Sequence, residues 1–245
     1  MQVLTILLYA GLIVYAYGIP SGRIVGGKDS SEGKYPYQVS IQYIGRHNCG
    51  GSIINKRYIL TAAHCLRGRI QNFLTIVAGI TRLDSAGDEY KVESFLIHPE
   101  YDPVLIINDI GLIRVNEDIR FSEKVQTIEL ASKDPDEEVF PVILTGWGWL
   151  SIEGDHPNNL QVIQLYTTNQ GKCKSLQPKA TDRNICTLTK KGEGACKGDS
   201  GGPLVNLQGK QIGIVSYGIP CAFGYPDVYT RVSYFYDFIM KNINL

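Results

Sequence analysis

Short apolar runs rich in β-branched and aromatic residues recur along the chain, separated by Gly, Pro, Asn and Asp. Runs of this length between turn-forming residues are typical of strands, and their number indicates an all-β sandwich or barrel. They predict strands over residues 37–44, 52–60, 74–78, 92–97, 110–115, 142–145, 160–166, 202–205, 211–217 and 228–232. The tail differs, because Phe235, Phe238, Ile239 and Ile243 fall near helical spacing and predict a C-terminal helix. The charged stretch 116–138 is predicted to be a solvated connector between two β units of similar size.

The chain begins with a segment that does not fit this pattern. Residues 4–17 form an apolar run, and Ala16-Tyr17-Gly18 has the small-x-small pattern of a signal cleavage site, although no Lys or Arg precedes the run. The run is shorter than the roughly 20 residues of a membrane-spanning helix, which disfavours the alternative of a membrane anchor. Residues 1–18 are therefore predicted to be a secretory signal peptide, and the mature protein to be extracellular and not bound to a membrane.

Charge and cysteine content narrow the function further. The formal net charge is zero, so there is no electrostatic reason to expect binding to nucleic acid or to an anionic membrane surface. Six cysteines indicate three disulfides in an oxidising compartment but leave their connectivity open. A metal site is the alternative, but the chain has no C-x-x-C pair and only four histidines, so no metal or other cofactor is predicted.

One serine is surrounded by residues that suit catalysis. Residues 194–203 read G-A-C-K-G-D-S-G-G-P, and the glycines around Ser200 permit a tight turn with exposed N–H groups. A serine hydroxyl needs a base to become a good nucleophile, and histidine is the usual one. His64, in the segment L-T-A-A-H-C, follows an apolar strand and adjoins a cysteine, whereas the other histidines lie in polar or turn-like segments. A purely structural role for His64 is the alternative.

An acidic residue interrupts the apolar segment 104–113. Asp109 would be costly to bury unless it were hydrogen-bonded, and an imidazole N–H is a suitable partner, although a turn residue facing water is the alternative. The motif around Ser200 also fits the G-x-S-x-G elbow of α/β-hydrolases, but that fold places its histidine after the serine, and no histidine follows Ser200. The order His64, Asp109, Ser200 is instead that of chymotrypsin.

Several motifs together resemble those of one family. They are I-V-G-G at 24–27, L-T-A-A-H-C at 60–65, N-D-I-G-L-I at 108–113, G-W-G at 146–148, G-D-S-G-G-P at 198–203, V-S-Y-G at 215–218 and P-D-V-Y-T-R-V at 226–232. By them, residues 24–245 resemble the chymotrypsin family of serine proteases, most closely insect chymotrypsins. The resemblance implies an all-β fold of two six-stranded antiparallel β-barrels, roughly 24–125 and 126–232, with the active site in the cleft between them and a C-terminal α-helix.

The resemblance also implies roles for individual residues. Ser200 attacks the scissile carbonyl, His64 transfers its proton to the leaving amine, Asp109 orients the imidazole, and the N–H groups of Gly198 and Ser200 form the oxyanion hole. It implies a monomer that cleaves proteins and peptides and is bound by protein protease inhibitors. The implied disulfides are Cys49–Cys65, Cys173–Cys186 and Cys196–Cys221.

The resemblance further implies synthesis as a zymogen. Residues 19–23 are expected to be a pro-segment that an activating protease removes by cleavage after Arg23. The new α-amino group of Ile24 would then pair with Asp199, which otherwise is a buried charge without a partner. Asp199 is therefore expected to act as an activation switch and not as the third triad residue.

The residues expected to bind the substrate side chain are Gly194, Ala195, Ser216, Tyr217, Gly218 and Asp227. Trypsins carry Asp where this chain has Gly194, and Gly218 keeps the pocket open, which favours cleavage after large apolar or aromatic residues. Asp227 stands where most relatives have glycine, so broad or trypsin-like cleavage after Arg and Lys is the alternative. Ser216, Tyr217 and Gly218 are expected to pair with the extended substrate, and Lys197 lies near the pocket rim. A non-catalytic homologue is disfavoured because the triad and activation site are intact.

Overall fold

The computed structural model describes residues 24–188, 190–219 and 221–243. The predicted signal peptide 1–18 and pro-segment 19–23, with Arg23, lie outside the described residues. The strands are β1 (Lys28–Asp29), β2 (Gln38–Tyr43), β3 (Arg46–Ile53), β4 (Tyr58–Thr61), β5 (Leu74–Ala78), β6 (Asp88–Ile97), β7 (Gly111–Val115), β8 (Glu129–Leu130), β9 (Pro141–Gly146), β10 (Gln161–Tyr166), β11 (Asn184–Thr187), β12 (Pro203–Asn206), β13 (Lys210–Tyr217) and β14 (Asp227–Arg231). The helices are α1 (Ala63–Leu66), α2 (Gln170–Leu176) and α3 (Tyr236–Ile243), with a 3₁₀ turn at Gln71–Phe73.

The first β unit is a closed antiparallel barrel. Its strand order is β2-β3-β4-β7-β6-β5. The alternation of the sequence explains the inward faces: in β6, Tyr90 and Val92 are buried while Lys91 is exposed. Val39 and Ile41 of β2 are also buried in this core. The first of the two predicted six-stranded barrels is thus confirmed.

The second β unit is an eight-stranded sheet. Its strands follow the order β1-β10-β9-β12-β13-β14-β11, and β8 pairs in parallel with β13. Just after β10 the chain approaches β11, since the N–H of Thr168 donates to the carbonyl of Cys186 at 2.9 Å and that of Leu188 donates to the carbonyl of Tyr166 at 3.1 Å. Only a second β unit, not a second closed barrel, is therefore confirmed for the described strands.

Buried contacts fix the two β units against each other. The Ser52 hydroxyl donates to the Gln211 side chain at 2.6 Å, and the Thr145 hydroxyl donates to the Gln38 side chain at 2.7 Å. The predicted C-terminal helix is present as α3, and its fully buried Ile239 packs into the core of the first barrel. These contacts join the two β units through buried polar and apolar groups. No helix in the described part of the chain is long and apolar enough to cross a membrane.

The predicted strand 52–60 is wrong as a single element. It covers the end of β3 and all of β4, because the Asn55 side chain accepts hydrogen bonds from the N–H groups of Arg57 and Tyr58, both at 2.8 Å, and turns the chain. Most of β3 carried no strand pattern, since it contains the pair Gly50-Gly51. A Cβ at Gly51 would lie 2.9 Å from the Ile59 side chain, so close packing of β3 on β4 requires glycine there.

Candidate active site

Pairing of two barrel strands brings His64 and Asp109 together. Thr61 at the end of β4 lies opposite Gly111 at the start of β7, so the residues just after β4 and just before β7 are neighbours. His64 Nδ1–H donates to Asp109 Oδ2 at 2.8 Å, and the backbone N–H of His64 donates to Oδ1 at 2.9 Å. With Nδ1 carrying the proton, Nε2 is left with a lone pair, the state that a general base needs.

Asp109 is almost fully buried, and two residues of the second β unit hold it. The Ser216 hydroxyl donates to Oδ2 at 2.6 Å, and the Thr230 hydroxyl donates to the Asp109 backbone carbonyl at 2.7 Å. The Ser216 hydroxyl and the two N–H donors of His64 replace the hydrogen bonds to water that the carboxylate loses on burial. The prediction that Asp109 is hydrogen-bonded to an imidazole and not a turn residue facing water agrees with this geometry.

Ser200 lies in a loop that packs on the segment carrying His64. Its backbone carbonyl accepts the N–H of Gly50 at 2.8 Å, next to Cys49, and Cys49 is disulfide-bonded to Cys65. A Cβ at Gly201 would lie 2.1 Å from the Thr61 hydroxyl, which shows how closely the two segments approach. Within the described residues no hydrogen bond joins Ser200 Oγ to His64 Nε2. Such bonds are often long before substrate binds.

Two histidines contact Gly198, the predicted oxyanion-hole residue. Gly198 has a φ of 98°, which glycine adopts without strain. His47 Nε2–H donates to the Gly198 carbonyl at 3.0 Å, while the Ser40 hydroxyl bonds Nδ1 at 2.8 Å. The His156 ring packs edge-to-face on the His47 ring with centroids 5.2 Å apart, and a Cβ at Gly198 would be 2.3 Å from its Cε1 atom. Burial lowers the pKa of His47 to about 4, so His47 is neutral at physiological pH.

Asp199 points away from the cavity and is completely buried. Its Oδ1 accepts the N–H of Gly148 at 2.7 Å, and its Oδ2 accepts the N–H of Cys196 at 2.9 Å. Burial nevertheless raises the pKa of the carboxyl group to about 7, and no cationic side chain among the described residues pairs with it. The carboxylate therefore needs a positive partner to be fully ionised at neutral pH.

Ile24 is fully buried in the core of the second β unit, where Ala195 also lies. The next residue, Val25, accepts the N–H of Gly194 at 3.0 Å. The chain that follows Arg23 is thus attached to the segment leading to Asp199 and Ser200. Gly194, predicted to line the substrate pocket, forms this backbone contact and lies behind the residues that line the cavity.

A cavity of about 170 Å³ opens beside Ser200. Of the predicted pocket residues, Ala195, Ser216, Tyr217, Gly218 and Asp227 line it. Ser200, Lys197, Cys196 and Val215 complete the lining, and the last two were not among the predicted pocket residues. The cavity is therefore mainly apolar, with one carboxylate.

That carboxylate, Asp227, is buried in the cavity wall. Its Oδ2 accepts the N–H of Ala195 at 2.8 Å, and a Cβ on Gly218 would lie 3.0 Å from its Oδ1. Burial, and secondarily the charge of Asp199, raises the pKa of Asp227 to about 7. The group is thus poised to be neutral beside an apolar side chain and ionised beside a cation.

The six cysteines form three disulfides with the pairing that the family resemblance implies: Cys49–Cys65, Cys173–Cys186 and Cys196–Cys221. Cys196–Cys221 joins the loop before Ser200 to the cavity wall. The sulfurs of Cys49 and Cys65 lie near the His64 ring, but a disulfide offers no thiolate to a metal ion. The arrangement serves to anchor His64 and not to bind a metal.

A β-rich scaffold with a carboxylate–imidazole pair and a glycine-flanked serine at the mouth of a pocket defines a serine-type hydrolase. The family model Trypsin matches residues 24–239. Chymotrypsin-2 from Vespa crabro is 52% identical over 219 residues, covering 89% of this chain and 99% of that protein. Trypsin beta from Drosophila erecta is 38% identical and Trypsin delta from Drosophila melanogaster 37% identical, each over 227 residues, 90% of this chain and 88% of the relative. The chain belongs to the trypsin family of serine endopeptidases.

Proposed function

We propose that this chain is a secreted, monomeric endopeptidase, made as a zymogen, that cleaves polypeptides after large apolar and chiefly aromatic residues. The observation that carries the proposal is the His64–Asp109 hydrogen bond of 2.8 Å beside a cavity that Ser200 lines. A cavity of about 170 Å³ with mostly apolar walls suits an aromatic side chain, whose burial provides much of the binding free energy.

In the proposed reaction His64 Nε2 accepts the Ser200 hydroxyl proton while Oγ attacks the scissile carbonyl. The resulting imidazolium keeps its Nδ1–H on Asp109, whose negative charge stabilises it. The N–H groups of Gly198 and Ser200 receive the developing oxyanion. His64 then donates the proton to the leaving amine, and water hydrolyses the acyl-enzyme by the same steps. Peptide and protein substrates, and protein inhibitors that mimic them, are proposed to bind at this same site.

Activation by cleavage after Arg23 rests on two buried residues. Asp199 is fully buried without a cationic side chain, and the side chain of Ile24 already occupies the core of the second β unit. A free ammonium on Ile24 would neutralise Asp199 and fix the loop that carries Gly198 and Ser200. Secretion is supported by the sequence of residues 1–18.

Strands β9–β14 are proposed to form the second six-stranded barrel, within a peptidase domain divided near residues 125 and 126. The isolated bridge between Thr167 and Thr187 connects the end of β10 to the end of β11 and supports closure. The cleft between the two barrels would then carry the site, with His64 and Asp109 from the first and Ser200 from the second.

Asp227 supports a second candidate, a broad specificity that includes Arg and Lys. A carboxylate in the cavity wall provides an ion-pair partner for a basic side chain. The test is a peptide-library cleavage profile after activation at Arg23, with Ser200→Ala as the inactive control. Cleavage after Phe, Tyr, Trp and Leu is expected for the first candidate, whereas comparable cleavage after Arg and Lys as well would replace it by the second. Absence of cleavage by the activated enzyme would contradict both.

A further inference from the structure

Two adjoining cavities on the second β unit form one groove that the proposed reaction does not use. Their volumes are about 190 and 280 Å³, and Pro135, Glu137 and Phe140 line both of them. Each is larger than the cavity of about 170 Å³ beside Ser200, which is proposed to hold one aromatic side chain. The groove therefore has room for two neighbouring side chains of a bound polypeptide.

The groove lies at the end of β12 that is farther from Ser200. Strand β12 begins just after the loop that carries Ser200, and Leu207, which follows the last residue of the strand, lines the groove. The four residues of β12 alone span about 10 Å at the usual rise of a strand. Among the described residues, none lines both the groove and the cavity beside Ser200. A ligand in the groove thus leaves the catalytic site free.

One half of the groove is mainly apolar and open to solvent. Most of its wall is formed by Pro135, Val139, Phe140, Pro141 and Leu207. The side chains of Val139 and Leu207 are each 57% exposed. Apolar side chains that stay exposed and lie close together often mark a binding surface. This half of the groove therefore suits a large apolar side chain of a partner.

The other half of the groove is acidic. It contains the end of the charged stretch 116–138, which the sequence predicts to be a solvated connector. Four acidic side chains line it, namely Asp134, Asp136, Glu137 and Glu138. Asp134 pairs with Arg231, and Asp136 pairs with Lys133 at 2.8 Å, whereas the two glutamates make no ion pair among the described residues. The two glutamates therefore leave an excess of negative charge, which favours a cationic partner.

Hydrogen bonds tie both sides of the groove to the second β unit. The buried Thr167 hydroxyl accepts the N–H of Phe140 at 2.9 Å and donates to the carbonyl of Glu138 at 3.0 Å. On the other side, Arg231 donates to the backbone carbonyl of Asn184 at 2.6 Å. A groove that is formed before binding reduces the free energy that a partner must spend on ordering it.

We call the following six residues the linker groove: Pro135, Glu137, Glu138, Val139, Phe140 and Leu207. We propose that the linker groove docks a segment of a partner protein that carries Lys or Arg two residues away from a large apolar residue. Side chains two positions apart lie on the same face of an extended chain, about 7 Å from each other. The cationic group lies beside the two glutamates, and the apolar side chain packs on Val139 and Leu207. Because the groove is separate from the catalytic site, the partner is bound there without being cleaved.

A fluorescent peptide tests the proposal. Fluorescein-labelled Gly-Ser-Arg-Ser-Phe-Ser-Gly is titrated with Ser200→Ala protein cleaved at Arg23, and its Kd is measured by anisotropy at low salt. The double variant Glu137→Gln/Glu138→Gln is expected to raise this Kd roughly tenfold, and Leu207→Asn roughly threefold. Both increases should be observed in the same Ser200→Ala background.

A matched control removes the same charge elsewhere. Glu89 and Glu123 are exposed and make no ion pair among the described residues, so Glu89→Gln/Glu123→Gln should leave the Kd within about twofold of the parent value. A Kd that is equal in the parent and in Glu137→Gln/Glu138→Gln overturns the proposal. An equal increase in both double variants also overturns it, because net charge alone would then explain binding.

Cross-linking locates the bound peptide. With p-benzoylphenylalanine in place of Phe in the peptide, irradiation is expected to label residues 135–141 or 205–208, which mass spectrometry identifies. Replacing Arg by Glu in the peptide should abolish this adduct. Adducts confined to the residues that line the cavity beside Ser200 overturn the proposal. Hydrolysis of a short Phe anilide by the activated enzyme should be unchanged in Glu137→Gln/Glu138→Gln, and a parallel loss of this activity would contradict a docking role separate from catalysis.

Discussion

The carboxylate of Asp227 accepts the backbone N–H of Ala195 at 2.8 Å across the wall of the cavity beside Ser200. This bond fixes the only acidic side chain that lines the cavity within the described residues. Because burial raises its pKa to about 7, its charge changes near neutral pH. Substrate preference is therefore expected to depend on pH.

The first prediction concerns this dependence. Asp227 is neutral below its folded pKa and negative above it, so a basic substrate side chain gains attraction as pH rises through about 7. The ratio of kcat/KM for an Arg peptide to that for the matched Phe peptide should rise roughly tenfold between pH 6 and 8, a change equivalent to about 1.4 kcal/mol. Any pH dependence that the two peptides share cancels in the ratio. In Asp227→Gly the ratio should be flat; a rise that persists there would exclude Asp227 as its origin.

The same carboxyl group should influence stability. Its folded pKa of about 7 exceeds the value of 3.8 for an unperturbed Asp, so the stability that it contributes is complete below about pH 4 and is lost as pH rises through about 7. Asp227→Asn keeps an oxygen to accept the Ala195 N–H but does not ionise. Urea unfolding in a Ser200→Ala background should show the variant gaining stability relative to Asp227 as pH rises from 4 to 8, by as much as roughly 4 kcal/mol. A constant difference over this range would contradict the assignment.

Asp199 supplies a test of activation. Asp199→Asn should abolish peptide hydrolysis after cleavage at Arg23, because an amide cannot hold the Ile24 ammonium, while circular dichroism and the disulfides remain as in the wild type. The cleaved wild-type enzyme should also lose activity at alkaline pH as the amine of Ile24 loses its proton. Full activity of the variant would remove Asp199 from the activation mechanism.

His47 is predicted to position the oxyanion hole. His47→Ala removes the donor to the Gly198 carbonyl, so the Gly198–Asp199 peptide, which links the two residues that present the oxyanion N–H groups, can rotate. We expect kcat to fall roughly ten- to a hundredfold with little change in KM, since the contact matters most in the transition state. His47→Gln, which can restore a donor, should recover part of the loss. A change confined to KM would show that His47 acts on substrate binding.

Local motifs predicted the catalytic residues better than they predicted the hydrogen bonds that position those residues. His64, Asp109 and Ser200 each stand in a short segment with an unusual composition, so each was a candidate, but the chain order and the family resemblance were needed to assign their roles. The bonds that hold them join distant parts of the chain: Ser216 to Asp109 across 107 residues, and His47 to Gly198 across 151. No periodicity or spacing encodes such pairs, because they form only when the two β units pack.

The strands show the same difference between features that local sequence encodes and features that depend on long-range packing. Alternation predicted most strands of both units, but β3 was largely missed since glycines replace apolar residues where it packs on β4, and β11 was missed because it has only four residues. Gly194 was predicted to bind the substrate side chain because the family resemblance places it where trypsins carry Asp. Its N–H donates to the Val25 carbonyl at 3.0 Å, a long-range contact that composition does not reveal.

The central claim is that His64 activates Ser200 for attack on a carbonyl. The most direct measurement is labelling of the protein cleaved at Arg23 with a phenylalanine diphenyl phosphonate, followed by mass spectrometry of the peptides. A single phosphonyl adduct on Ser200, absent in His64→Ala and in the uncleaved precursor, is the predicted result. An unlabelled Ser200 in the folded, cleaved protein, or equal labelling of Ser200 in His64→Ala, would contradict the account.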